Sequence, residues 1–171
     1  MFNINDFVVY HRNVCIINSI KEIDNRGKYY VIKPIDDDSL TISVPIDNKF
    51  IRPIISQQQV EELINEIINI DVIDNTNEKM IEGEYKQLLS DINNHKNLIK
   101  IIKTTYLRNE YRILNKKKVS EKDNEYFKIA EKLLYNELSV VLQMSYEDTK
   151  KYVINKVRAA LACKKLDPCI N

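Results

Sequence analysis

Hydrophobic positions change their period once along the chain. As far as Pro53 they fall in short runs: Phe2 to Tyr10, Val14 to Ile23, Tyr29 to Ile35, and Leu40 to Ile46. The runs are rich in β-branched and aromatic residues. Turn-formers split them, first Asp24-Asn25-Arg26-Gly27 and then Asp36-Asp37-Asp38-Ser39. This pattern predicts a small antiparallel β meander. Gly27, next to Arg26, is expected to supply the positive φ of the first hairpin turn. The last run alternates, with Leu40, Ile42, Val44 and Ile46 on one face and Thr41 and Ser43 on the other. The expectation is a five-strand barrel with a small core. Such a module must pack on the helical part or leave an edge open to a partner strand.

After Ser56 the period becomes helical. Ser56-Gln57-Gln58-Gln59 reads as a capping box, followed by a stripe of Val60, Leu63, Ile64, Ile67 and Ile68. Asp71 to Asn77 reads as a linker or turn. A second helix is predicted from about Glu78 to Ile92, with Ile81, Tyr85, Leu88, Leu89 and Ile92 inward and Gly83 weakening its start. A third runs from about Lys96 to Leu114, with Leu98, Ile99, Ile102, Tyr106 and Ile113 inward. Ser120 caps a fourth, carrying Phe127, Ala130, Leu134, Leu138 and Val141. Ser145 caps a fifth, carrying Val153, Val157, Ala160 and Leu161 and ending at Asp167-Pro168. The fold class is therefore α+β: a small antiparallel β-barrel, then a bundle of about five helices. The boundary divides residues 1–55 from 56–171.

Composition narrows the chemistry. Hydrophobic residues make up 44 % of the 171, enough for a packed core. Only two glycines are present, so a Gly-rich phosphate cradle has nowhere to form. The abundant Asn, Ile and Lys read as nucleotide bias. Asn3, Asn5 and Asp6 interrupt any apolar leader, and no run approaches the ~20 residues of a membrane helix. A cytoplasmic protein without membrane contact is expected. Cys15 sits in an apolar run and reads as core. Cys163 and Cys169 read as reduced thiols, with a regulatory disulfide the lesser alternative.

No catalytic constellation emerges. His11 follows a strand and His95 lies in a helix connection, neither with ligands at a useful spacing. Asp36-Asp37-Asp38 reads as a solvated turn rather than a metal loop. No catalytic residue, metal, cofactor or small-molecule substrate is expected.

Charge is more informative, although the net value is only +1. Acids dominate from Ser56 to His95. Lys96, Lys100, Lys103, Arg108, Arg112, Lys116, Lys117 and Lys118 then follow against Glu110 alone. Such a strip is the footprint of a phosphate backbone, or else a solvated face paired with the acidic first helix. The residues leave these two readings level.

The N-terminal module resembles a known family. Phe2, Asp6, Val8, Val9, Tyr10, Tyr30, Val31, Leu40, Thr41, Val44, Pro45, Asp47, Asn48, Arg52 and Pro53 stand in the order and spacing of the CarD/CdnL transcription regulators, whose N-terminal domain is Tudor-like. The resemblance implies a β module that holds the RNA polymerase β subunit. It also implies a helical domain that touches promoter DNA upstream of the melted bubble and modulates open-complex formation. The polymerase-binding positions it implies are Glu22, Ile23, Thr41, Ile42, Ser43 and Val44. Ser43 stands where many members have Arg, and Glu22 or Ile23 where a second Arg falls, so main-chain pairing along Thr41 to Val44 would have to carry the contact.

The family's wedge tryptophan has no counterpart. Its segment falls on Met80 to Lys86, where Tyr85 and Lys86 match and Gly83 and Glu84 replace arginines. Lys79 and Met80 lie nearest the wedge, with core packing the alternative for Met80. Lys122 is the nearest cation to a second family contact. The expected DNA-binding set is thus Lys79, Met80, Lys86, Lys96, Lys100, Lys103, Arg108, Arg112, Lys116, Lys117, Lys118 and Lys122. A protein-only adaptor, binding protein through both parts, is the alternative from a different class.

Overall fold

A computed structural model describes residues 1–24, 27–75, 77–91 and 94–166. The expectations placed on Arg26, Ile92, Asp167-Pro168 and Cys169 lie outside these. The chain forms two compact units, Met1–Ser56 and Gln57–Asn171.

The first unit is a five-stranded antiparallel sheet of β1 (Phe7–Tyr10), β2 (Asn13–Ile23), β3 (Gly27–Pro34), β4 (Ile42–Pro45) and β5 (Ile51–Pro53), in the order β4-β3-β2-β1-β5. Val8, Cys15, Ile17, Tyr30, Ile32 and Val44 form its core. Each such burial contributes on the order of 1–3 kcal/mol. Tyr30 is buried, and its hydroxyl accepts the Phe2 amide at 2.9 Å, which ties the N-terminus to the core. Gly27 has φ +83, the left-handed geometry expected of it.

The expected barrel does not close. β4 and β5 lie at opposite edges of the sheet and do not pair. They are strands of four and three residues, and each ends in a proline. Pro45 and Pro53 have no N–H to donate, so neither short edge can extend a ladder towards the other.

The second unit contains α1 (Gln57–Glu66), a 3-10 turn (Ile67–Asn69), α2 (Glu78–Ser90), α3 (His95–Leu114), α4 (Glu121–Leu142) and α5 (Tyr146–Leu166). Caps fix the helix starts. Asn77 accepts the amides of Lys79 and Met80, Asn94 that of Lys96, and Ser120 that of Asp123. Ser145 accepts the Asp148 amide at 3.1 Å and donates its hydroxyl to the Asp148 carboxylate at 2.8 Å. Val60, Leu63, Ile64 and Ile67 are buried, as the α1 stripe predicts. Ile73, Ile81, Tyr85, Leu89, Ile101, Tyr126 and Ala130 pack as one cluster, with Leu88, Leu98 and Ile102 against it.

Two stripes depart from expectation. On α3, Tyr106 and Ile113 are exposed, and Ile101, Thr104 and Thr105 are buried instead. Thr104 and Thr105 hide their hydroxyls by donating to the carbonyls of Lys100 and Ile101, at 2.7 and 2.8 Å. On α5, Val153 is buried but Leu161 is exposed.

Candidate functional site

The polymerase-binding positions fall on two parts of the sheet. Glu22 and Ile23 end β2, opposite Lys28 and Gly27, at the tip of the long hairpin. Thr41 precedes β4, and Ile42, Ser43 and Val44 lie within it. Val44 is fully buried, so its side chain holds the core and cannot meet a partner.

β4 is an outermost strand with one side unpaired within the sheet. Its register decides which groups face outwards. Pro45 sits opposite Tyr29, Val44 opposite Tyr30, Ser43 opposite Val31, and Ile42 opposite Ile32. Proline cannot donate, so the Pro45–Tyr29 pair is of the non-hydrogen-bonded kind. The Ile46 amide donates to the Lys28 carbonyl at 3.2 Å, which makes the next pair a bonded one. Antiparallel pairs alternate. Val44 and Ile42 therefore bond to β3, while the N–H and C=O of Ser43 point away from it, and Thr41 is next in that alternation. Both side chains are exposed. This geometry accepts an added strand over a short length, because Pro45 ends the donor row.

The sheet matches a known family. Residues 2–55 fit the family model of the CarD-like/TRCF RID domain. The chain carries a CarD-like RNA polymerase-interacting domain. No curated protein matches the chain. In this RID domain Cys15 is buried, and desolvation, with Asp36 adding to it, pushes its thiol up to about 11. His11 adopts φ 53 and stacks on Phe50, ring centroids 4.9 Å apart.

Half of the basic strip of the helical unit is engaged from within. Arg108 donates from Nε to Asp123 at 3.0 Å, and Asp123, only 2 % exposed, also accepts the Tyr85 hydroxyl at 3.0 Å. Burial and the Asp123 charge push the Tyr85 phenol well up. Lys103 turns inwards and donates to the carbonyl of Ile67 at 3.0 Å and to that of Ile70. It satisfies the end of the 3-10 turn rather than facing solvent. Lys96 pairs with Glu66 at 2.6 Å, and Arg112 pairs with Glu78. Glu82 holds Lys86 at 3.0 Å and Lys122 at 3.1 Å. Hydrogen bonds from Lys86 and then Lys122 hold the Glu82 carboxyl below the usual range, and Glu82 raises both lysines in turn.

Six of the expected cations are thus engaged. Lys79, Lys100, Lys116, Lys117 and Lys118 carry no ion pair among the described residues. Sequence periodicity could not separate the two groups, because each pairing joins residues at least 15 positions apart, except the i,i+4 pair Glu82–Lys86.

Met80 is 60 % exposed, in the first turn of α2 beside Lys79, and does not pack in the core. His95 opens α3 and holds Glu137 through Nε2 at 2.8 Å, both largely buried. No group of three or more His, Cys, Asp or Glu suited to a metal occurs among the described residues. No described helix is long and apolar enough to cross a membrane.

Proposed function

We propose that this protein is a non-catalytic transcription regulator that acts on the RNA polymerase β subunit from the cytoplasm. The observation that carries this is the RID domain at residues 2–55 together with its open β4 edge. A strand of the β subunit adds to Thr41 and Ser43 through main-chain hydrogen bonds, and Ile42 lends apolar contact. Glu22 and Ile23 at the hairpin tip provide flanking side-chain contacts. Because strand addition relies on main-chain groups, the serine at position 43 does not abolish it.

The helical unit meets promoter DNA upstream of the bubble at the start of α2. There Met80 stands exposed in the position nearest the family's wedge, with Lys79 beside it. An apolar wedge unstacks a base step and is offset by phosphate contacts, which Lys79 and Lys100 supply. The contact is weaker than a full strip would give, because Lys86, Lys96, Lys103, Arg108, Arg112 and Lys122 are already engaged. That same engagement supports a second reading, in which the helical unit binds only protein. Capture of RNA polymerase by the full-length chain, followed by open-complex assays with Lys79→Glu and Met80→Ala, tests the proposal. Retention of polymerase with reduced promoter opening in both variants supports it. Failure to retain polymerase refutes it, and retention with unchanged promoter opening leaves the adaptor.

A further inference from the structure

α3 is covered along only half of one face. Up to Thr104 the chain's own segment from Ile67 to Ile73 lies against it: Thr104 Oγ1 accepts the Ile73 amide at 2.9 Å, and Lys103 donates to the Ile67 and Ile70 carbonyls. Beyond Thr104 the helix continues for about 15 Å, and there the chain is met only by polar side chains, Arg108 reaching the Asn75 carbonyl at 3.4 Å and Arg112 reaching Glu78, while its apolar side chains stay uncovered. At about 3.6 residues per turn, Tyr106, Glu110 and Ile113 form one ridge and Leu107, Tyr111 and Leu114 the next. Tyr106, Tyr111, Ile113 and Leu114 are each more than half exposed, Leu114 reaching 77 %. Together with Leu107 they present roughly 600 Å² of largely apolar surface, at the upper end of what a monomer exposes without a partner.

Charge says what covers it. Lys116, Lys117 and Lys118 follow directly, all exposed and without an ion pair among the described residues, and Glu110 is the one carboxylate on the two ridges. Phosphates suit the lysines but not Glu110 or the aliphatic side chains of Leu107, Ile113 and Leu114. A second copy would bring Glu110 towards its own equivalent across an antiparallel pairing, where like charges oppose one another. The covered half of α3 shows a fitting arrangement: a short apolar segment that opens in a 3-10 turn and whose Ile67 and Ile70 carbonyls receive a lysine.

We propose that the C-terminal half of α3 docks an amphipathic helix of a protein partner, its apolar stripe on Leu107, Tyr111 and Leu114 and its acidic last turn against Lys116–Lys118. The proposal is independent of DNA contact and of polymerase binding.

A labelled amphipathic peptide of about 16 residues, with a leucine stripe and glutamates in its last turn, serves as the probe. Its fluorescence anisotropy is followed on titration with the full-length chain. Leu114→Glu, and separately the triple change Lys116→Glu, Lys117→Glu and Lys118→Glu, should each weaken binding at least about tenfold. A peptide with lysines in place of the glutamates should prefer the triple variant. Circular dichroism should match the parent for both variants, since every altered side chain is exposed. No binding of the acidic peptide at about 1 mM overturns the proposal. So does unchanged affinity of Leu114→Glu, or a triple variant that still prefers the acidic peptide. A DNA duplex whose binding Leu114→Glu abolishes, or a dimer that Leu114→Glu dissociates in sedimentation, overturns it as well.

Discussion

Arg108, an expected DNA contact, is held by the buried carboxylate of Asp123. Asp123 is 2 % exposed, and it joins α4 to Arg108 on α3 and Tyr85 on α2, each at 3.0 Å. Asp123→Ala removes both acceptors. It leaves a guanidinium and a phenol facing a site built for a carboxylate. Removing one partner of a buried pair costs about 3–5 kcal/mol. The Arg108 side chain is 21 % exposed, so water relieves part of that, and ~3 kcal/mol is the expected loss. That is a large share of the ~5–15 kcal/mol of a small domain. Urea unfolding followed by circular dichroism at the helical band reads it as a lower midpoint at constant slope. Asp123→Leu combined with Arg108→Met should recover part of the loss, because no buried charge is then left alone. A loss below ~1 kcal/mol for Asp123→Ala, or a double variant worse than both singles, would refute the reasoning.

Further outcomes follow from the same geometry. Lys122→Ala removes only a solvent-exposed pair with Glu82, so its urea midpoint should match the parent; a clear fall would show that the Glu82 bridge is structural. Lys103→Met should lower the urea midpoint, since the carbonyls of Ile67 and Ile70 lose their donor, while leaving the salt dependence of DNA association unchanged. Cys15 is held protonated in the fold, so folding retains a proton that the unfolded thiol releases. Its contribution is complete below pH 9 and is lost as pH rises from 9.0 to about 11, a fall of up to ~3 kcal/mol; flat stability of the sheet across that window would contradict its burial. With Cys163 and Cys169 changed to Ser, the native chain should resist a thiol reagent until it is unfolded, and fast labelling would show that Cys15 is accessible.

The local alphabet of the chain is legible in its sequence, and its long-range pairings are not. Strand runs, the Gly27 turn, and the caps at Ser120 and Ser145 are local signals, and each depends on residues within a few positions. Sheet closure is not local. It depends on whether two short strands ending in Pro45 and Pro53 can meet, which alternation cannot express. α3 failed for a related reason. Tyr106 and Ile113 continue an apolar period, but the apolar part of the cover ends at Ile73, opposite Thr104, and only polar groups of Asn75 and Glu78 meet the later turns. Two threonines that bond back to their own helix then replace hydrophobes in the core. The basic strip was visible as composition, yet its meaning turned on partners such as Asp123, Glu78 and Glu66 from distant segments. Met80 has an apolar side chain that fits a wedge or a core, and it is exposed in the first turn of α2.

The central claim is that the outward main-chain groups of β4 receive a strand of RNA polymerase. Ser43→Pro removes the outward N–H without touching a bond to β3, and proline is tolerated where an edge strand's N–H faces solvent. The measurement is capture of RNA polymerase by the full-length Ser43→Pro chain beside Ser43→Ala, with circular dichroism confirming both folds. The account predicts that the alanine variant retains the β subunit and the folded proline variant loses it. Equal retention by both would contradict strand addition at this edge.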